Sequence, residues 1–246
     1  MAKRLIDVLL AAFGLIVASP VLLPVMFLVS WQDGYSPFYI APRVAKGDKT
    51  FRMVKLRSMI KGADRTGVDS TSAGDNRITA VGHFIRRYKL DELTQLWNVL
   101  MGDMSLVGPR PNVKRETDLY TSVERGLLSV RPGITDFSSI VFSDEGDILA
   151  GRPDPDLAYN QLIRPWKSRL SLFHIEHQSL GLDIQVIFLT ALAIVSRPRA
   201  LERVSRLLRN LGAPADLVRV ARRCDELVPT PPPGTTEIVT SRVVTS

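Results

Sequence analysis

From Leu5 to Trp31 the chain is apolar except at Asp7, Ser19 and Ser30, and basic Lys3 and Arg4 stand just before the run. A stretch of this length reads as a membrane segment. A cleaved signal would carry an apolar region of only about 7 to 15 residues, and no convincing small-residue cleavage site precedes the globular part. About 20 apolar residues can cross a bilayer, but Pro20 and Pro24 remove backbone donors and clash with the preceding turn. Ser19 can offer its hydroxyl to a freed carbonyl. These residues predict a sharp bend near Ser19 and two half-helices of roughly fourteen and eleven residues, each about 20 Å long, against a hydrocarbon core about 30 Å thick. A hairpin dipping into one leaflet and a proline-kinked span, which membrane helices tolerate, both stay open on these residues. Lys3 and Arg4 hold the N-terminus in the cytoplasm, so a full span would export everything after it.

The chain has 246 residues, with 32 Lys and Arg against 25 Asp and Glu, a formal charge of +7. That length allows one domain or two, and that charge favours anionic partners: nucleic acid, phospholipid headgroups or phosphorylated metabolites. Nucleic acid is disfavoured because no aromatic platform or recognition motif accompanies the charge. The single cysteine, Cys224, excludes an intramolecular disulfide and a cysteine-rich zinc site. Three histidines are too few for a histidine-built metal centre.

Turn residues and short apolar pieces predict extended segments in FYIAPRVA and TFRMVKLRSM. Residues 61–77 read as an exposed loop. Helices are expected near Val81, from Asp91, over about Val113 to Leu128, and through most of RPWKSRLSLFHIEHQSLGLDIQVIFLTALAIV. Four segments follow: 1–31 in the membrane, 32–196 as a compact domain, 197–227 as a basic amphipathic extension, and 228–246 as a disordered tail. In the extension, Leu201, Val204, Leu207, Leu208 and Leu211 share one face and Arg199, Arg203, Arg206 and Arg209 lie mainly on the other. Such a helix suits an anionic membrane surface or simple packing on the domain.

Within KLDELTQL, two acids, Asp91 and Glu92, stand side by side. On a helix starting near Asp91, Leu93, Trp97, Leu100, Met101 and Met104 are expected to turn inward, with the acids about 100° apart on the first turn. Capping and the helix macrodipole account for such acids by themselves. Their cationic company adds a chemical reading: Arg86, Arg87 and Lys89 just before, Lys55 and Arg57 in KLRSM, and Arg110 between Pro109 and Pro111. A guanidinium held between two prolines suits a phosphate. Carboxylates among bound cations pair structurally, bind a hard divalent metal, or attack phosphorus, and a diphosphate substrate would use these ingredients together.

KRLIDVLLAAFGLIVASP, FRMVKLRSM, IRRYKLDELTQLWNVLMGDMSLVGPRP and RPGIT together resemble the bacterial sugar transferase family, small monotopic polyprenyl-phosphate sugar-1-phosphate transferases, from about Lys3 to Val195. The resemblance implies an α/β or mostly α fold: a re-entrant membrane helix bent at Ser19 and Pro20, a compact cytoplasmic catalytic domain with short strands, and interfacial amphipathic helices, all at the bacterial inner membrane. It implies that Asp91 attacks the sugar-bearing phosphorus to give an aspartyl-phosphosugar intermediate, that Glu92 helps hold Mg²⁺, and that Lys55, Arg57, Arg86 and Arg110 bind phosphate. The implied reaction moves a sugar phosphate from a nucleotide diphosphate sugar, expected to be a UDP-sugar, to a polyprenyl phosphate such as undecaprenyl phosphate. This would be the first membrane step towards an exopolysaccharide, capsule, O-antigen or glycoprotein glycan. Membrane lipids are the expected surroundings, and a homodimer is one admissible assembly. The rival is a catalytically silent membrane adaptor with the same fold, against which the intact dyad and Arg110 weigh. The sequence departs from the family at Thr94, where Pro is frequent, and at Asp136 and Phe137, where many members read Gly-Trp, so the sugar stays open. His174 and His177 in HIEH lack a third metal ligand, and Asp183 reads as a structural ion-pair residue by default.

Overall fold

The computed structural model describes residues 2–63 and 74–241, which divide into two compact units. The first comprises residues 2–63, Asp75–Asp118 and Val130–Ile134; the second, Leu119–Ser129 and 135–241 with Gly74. The architecture is mixed and mostly helical, with short strands.

In the first unit, α1 (Ala2–Trp31) runs unbroken through Ser19 and Pro20, so the two expected half-helices form a single element. Pro20 cannot bond to the Ile16 carbonyl, and Ser19 Oγ takes that acceptor at 2.8 Å. One face packs on the unit over the whole length of the helix. Near its start Ala11 joins Phe51, Met53, Leu96, Val99 and Met104 in one apolar cluster. Farther along, Leu22, Val25 and Val29 join Leu56, Ile85 and Leu90 in another. The opposite face is exposed and apolar, with Leu5, Phe13, Ile16, Phe27 and Trp31 each at least 62% exposed.

β1 (Phe38–Val44) and β2 (Thr50–Leu56) form the expected strands as an antiparallel pair, with Tyr39 opposite Lys55. Next come α2 (Ala80–Arg87), α3 (Leu90–Leu93), α4 (Leu96–Met101), β3 (Ser105–Val107), α5 (Lys114–Thr117) and β4 (Gly133–Thr135), which pairs with β3. Of the expected loop at 61–77, residues 64–73 lie outside the described residues. Its edges are tied down by a Met59–Ile78 bridge and an Arg77–Asp75 ion pair of 2.6 Å.

Two expectations about helix phase and length fail. The stripe that follows the dyad does not turn inward as a whole, since Trp97 and Met101 are 53% and 60% exposed while Gln95, Leu96, Asn98 and Val99 are buried. The polar side chain of Asn98 claims the inward direction because β2 needs it, as described below. Nor is there one helix over 113–128. α5 ends at Thr117, and a separate capped turn begins at Thr121, whose Oγ1 accepts from Glu124 N (3.0 Å) while Glu124 Oε2 accepts from Thr121 N (3.1 Å).

The second unit contains α6 (Phe137–Val141), α7 (Glu145–Ile148), α8 (Pro155–Ala158), α9 (Arg164–Glu176), α10 (Leu180–Val195), α11 (Arg197–Asn210) and α12 (Ala215–Arg222). A buried ion pair, Arg164–Glu124 at 2.5 Å, lies within it, and Ser168 Oγ also donates to Glu124 at 2.7 Å. The amphipathic stripe of the extension faces protein: Leu201, Val204 and Leu208 are buried where α11 packs on α10, α6 and α12. Leu207 and Leu211 are half-buried, and the arginine-bearing face is open. The expectation of a disordered tail does not describe residues 230–239. Thr230 N donates to Gln161 O, Arg169 Nη2 to Pro231 O, Thr121 Oγ1 to Pro233 O and Gln161 Nε2 to Val239 O. Residues 242–246 lie outside the described set.

Candidate active site

The first unit gathers the acidic pair and most of the cations named with it. Thr79 caps α2 by accepting from Gly82 N at 2.9 Å, and α2 carries Arg86, whose Nε donates to Ser58 Oγ at 3.2 Å. Lys89 then adopts a left-handed backbone, φ 55°, a conformation that costs a non-glycine residue about 1–3 kcal/mol. This reversal starts α3 and puts Asp91 and Glu92 on its first turn, with the buried Leu90 as the apolar anchor.

Thr94 and Asn98 set the dyad against β2. Among the described residues β2 has a single strand partner, so its other edge presents peptide groups that no strand pairs. Asn98 Oδ1 accepts from Val54 N (2.8 Å) and Asn98 Nδ2 donates to Arg52 O (2.8 Å), the bonds a third strand would make. Thr94 Oγ1 adds a bond to Val54 O at 3.3 Å. Lys55, the next residue on β2, is thereby held beside the dyad.

Downstream, β3 and β4 approach so closely that a Cβ on Gly133 would lie 2.1 Å from Gly108 N, and one on Gly108 would lie 2.6 Å from Arg131 O. Glycine is therefore required in both VGPRP and RPGIT. The strand pair delivers Arg110, whose Nη1 sits 3.0 Å from Glu92 Oε1.

The electrostatics separate the two acids. Burial pushes the Asp91 carboxyl above the usual carboxylate range, against the opposing pull of Lys55, and its Oδ1 is buried with no hydrogen-bond partner among the described residues. Burial also acts on Glu92, but Arg110, Lys89 and Lys55 outweigh it and hold that carboxyl at about 2. Burial, reinforced by Arg110, lowers Lys55 to about 8. At neutral pH the site thus holds a firmly ionised glutamate and a desolvated, readily neutralised lysine around an aspartate whose oxygen lacks a bond. Such an oxygen has a lone pair to give to an electrophile or a cation.

Of the sequence candidates, Lys55, Arg86, Asp91, Glu92 and Arg110 come together. Arg57 does not join them. Its guanidinium is buried, pairs with Asp33 (2.5 Å), and donates to Ser36 O (2.9 Å) and Val29 O (3.1 Å), tying the end of α1 to the end of β2. Two cations beyond those carried over from the resemblance take part: Lys89, and Arg43 on β1, which lies close enough to Lys55 and Arg110 to depress the lysine. Cross-strand register is the signal that could have exposed Arg43, since it shares a face with Tyr39, the partner of Lys55.

In the second unit, Asp136 and Phe137 are fully buried. Asp136 caps α6 and accepts from Ser138 Oγ and Ser171 Oγ. His174 Nε2 lies 3.3 Å from Asp183 Oδ1, which agrees with a structural pairing of Asp183, and His177 stacks on Phe173. The two histidines thus have separate roles. Among the described residues no group of three or more His, Cys, Asp or Glu side chains could hold a metal by itself.

The model of the bacterial sugar transferase family matches residues 1–197. The chain belongs to the bacterial sugar transferase family. It is 34% identical to the exopolysaccharide production protein ExoY of Sinorhizobium fredii, over 78% of this chain and 85% of the relative. It is 32% identical to the UDP-N-acetylgalactosamine-undecaprenyl-phosphate N-acetylgalactosaminephosphotransferase of Aeromonas hydrophila, over 79% of this chain and 44% of the relative. To the undecaprenyl-phosphate galactose phosphotransferase of Salmonella typhimurium it is 33% identical, over 80% of this chain and 41% of the relative. The chain therefore spans most of the ExoY protein but less than half of the other two. Membership makes it a transferase of the phosphoglycosyl class. Membrane association is consistent with α1, which is long and apolar enough to cross a membrane by length and composition.

Proposed function

We propose that this sugar transferase moves a sugar phosphate from a UDP-sugar to undecaprenyl phosphate, the first membrane step of an exopolysaccharide or related surface glycan, by way of an aspartyl-phosphosugar. The observation that carries this reading is the buried, bondless Oδ1 of Asp91 beside Lys55, Arg86 and Arg110. In the first step a carboxylate oxygen of Asp91 bonds to the sugar-bearing phosphorus, the bond to the nucleoside phosphate breaks, and that phosphate leaves with the electron pair as UMP. In the second, an oxygen of the lipid phosphate bonds to the same phosphorus and the Asp91 carboxylate departs. Lys55, Arg86 and Arg110, with Arg43 beside them, bind and orient the phosphate oxygens. The names of the relatives support the acceptor and the donor class.

The donor set suits Mg²⁺, which commonly binds one or two carboxylates and completes its shell with substrate phosphates and water. Glu92, firmly ionised, is the protein ligand we assign, which leaves the open oxygen of Asp91 for attack on phosphorus. When bound, the ion would neutralise phosphate charge.

For α1 we propose a re-entrant placement in one leaflet of the inner membrane, with the catalytic unit on the cytoplasmic face. At 1.5 Å per residue a 30-residue helix is about 45 Å long. Both of its ends are fastened to the same charged unit, Arg4 to the Val99 carbonyl near the start and Val29 to Arg57 near the end. A crossing would therefore drag that unit into hydrocarbon. The exposed outer face of α1, with Phe84, Tyr88, Trp97 and Met101 also exposed in this unit, suits the interface.

The test is UMP release by purified protein supplied with Mg²⁺, undecaprenyl phosphate and a panel of UDP-sugars. Asp91→Asn is expected to abolish release while leaving the protein folded, and a covalent adduct on Asp91 is expected by mass spectrometry of quenched turnover mixtures. Full activity of Asp91→Asn would refute the nucleophile.

A further inference from the structure

Asp7 is an acid inside an apolar helix, and the chemistry above does not use it. It is buried, with Oδ2 accepting from Ser105 Oγ at 2.8 Å and Oδ1 from Leu106 N at 3.1 Å. One turn earlier, Arg4 donates to the carbonyls of Val99 (2.5 Å) and Leu100 (2.8 Å). Those are two of the final carbonyls of α4, which a cation at a helix C-terminus satisfies. Gly102 follows with φ 96°, and a side chain there would meet Arg4 Nη2 at 3.4 Å. Lys3 Nζ completes the set by donating to Val107 O at 3.2 Å.

All of these bonds fall between residues 99 and 107. That stretch is the middle of the segment with Glu92 at one end and Arg110 at the other, and those two side chains close on each other at 3.0 Å. We infer that Asp7 and Arg4 are positioning residues, a polar latch that fixes the height of the dyad and Arg110 relative to the membrane helix. The inference rests on the proposed transfer to a lipid phosphate. Apolar packing such as that of Ala11, Leu15 and Leu22 is non-directional and tolerates sliding along the helix axis. Hydrogen bonds to a buried carboxyl group and from a guanidinium fork do not, because each depends on distance and angle. The bilayer sets the level of the lipid phosphate through the lipid-facing side of α1, whereas residues 91–110 set the level of the nucleophile. The latch joins these two reference frames.

The test compares two acceptors with full-length protein in bilayer nanodiscs: undecaprenyl phosphate, which is confined to the bilayer, and a short water-soluble prenyl phosphate, which is not. Asp7→Leu is expected to lower kcat/KM for the long acceptor by about 10- to 100-fold, the range a displacement near 1 Å produces. The KM for the donor should stay within about two-fold, and the short acceptor should be far less affected than the long one. Asp7→Asn should restore most activity, since its amide oxygen can accept from Leu106 N and its amide nitrogen can donate to Ser105 Oγ. Ser105→Ala, which removes one bond, should show a smaller loss with the same selectivity and carries the test if Asp7→Leu does not fold. Equal losses on both acceptors, no loss on either, or failure of Asp7→Asn to rescue would each overturn the latch. A wild-type protein inactive on both acceptors would refute the proposed reaction instead. In that event the depth of Trp97, measured by brominated-lipid quenching in a Trp31→Phe, Trp166→Phe background, still decides the latch: a shift with Asp7→Leu supports it, and an unchanged depth overturns it.

Discussion

Lys55 gives the sharpest quantitative test of the site. Its ammonium sits between a dyad that needs its charge and a set of cations, Arg110 foremost, that with burial lowers it from the ordinary 10.5 to about 8. If the charged form binds phosphate, kcat/KM for the donor should be level below pH 8 and fall above it, by about ten-fold at pH 9, since that ratio reports ionisations of the free enzyme. Stability should move in the opposite direction. The folded protein releases this proton at about 8 and the unfolded chain holds it to 10.5, so between these values the unfolded state binds more protons and stability rises with pH. The ceiling of that contribution is on the order of 3 kcal/mol for a shift of this size. Loss of activity above pH 8 therefore cannot come from unfolding through this residue. The assay is initial-rate UMP release from pH 6.5 to 9.5, alongside urea unfolding over the same range. Lys55→Arg should remove the alkaline limb, because a guanidinium stays protonated throughout. An unchanged break near pH 8 in Lys55→Arg, or a wild-type profile flat to pH 9.5, would refute the assignment.

Arg57→Ala should act on stability and not on the donor KM: its pairing with Asp33 and with two carbonyls is structural, and its loss should cost about 3 kcal/mol, read as a lower urea midpoint. Asn98→Ala strips Val54 N and Arg52 O of their partner at the edge of β2, so a loss of about 2–4 kcal/mol should come with a fall in kcat as Lys55 and the dyad lose their register. Gly133→Ala should abolish both folding of the first unit and activity, because its new Cβ would lie 2.1 Å from a backbone nitrogen that cannot move aside; wild-type thermal stability in that variant would mean that β3 and β4 separate more readily than their close approach implies.

The site was legible where chemistry dictates residue type, and less so where three-dimensional register does. Asp91 and Glu92 alone read as helix-terminal acids; their cationic company, above all an arginine bracketed by prolines, is what marks them, and the fold brings them together with Arg110. Lys55 and Arg57 look equivalent, two apart on what reads as one strand. β2 stops at Leu56, however, and past the strand end alternation no longer governs direction, so Arg57 turns to Asp33. Arg43 carries no local sequence signal, because its link to Lys55 runs through antiparallel register with Tyr39, not through sequence proximity. Trp97 and Met101 depart from the expected stripe for a related reason: the edge of β2 needs the amide of Asn98, and satisfying buried peptide groups outweighs burial of an indole that can rest in lipid.

The same competition explains α1. Its length and composition were plain, but a helix apolar on every side carries no amphipathic phase, so the sequence alone left open which side meets protein. The phase resides in two polar side chains, one just before the apolar run and one inside it. Arg4 and Asp7, three residues apart, can be satisfied only by protein, and steps of three or four residues from them lead through Ala11, Leu15, Ala18, Leu22 and Val25 to Val29, all on the face packed against the unit. A charge inside an apolar run is costly in lipid and must find a partner, so it marks the protein-facing side more reliably than any hydrophobic residue in the same helix. On this reasoning Asp7 is what makes the helix part of the catalytic unit rather than an anchor attached to it.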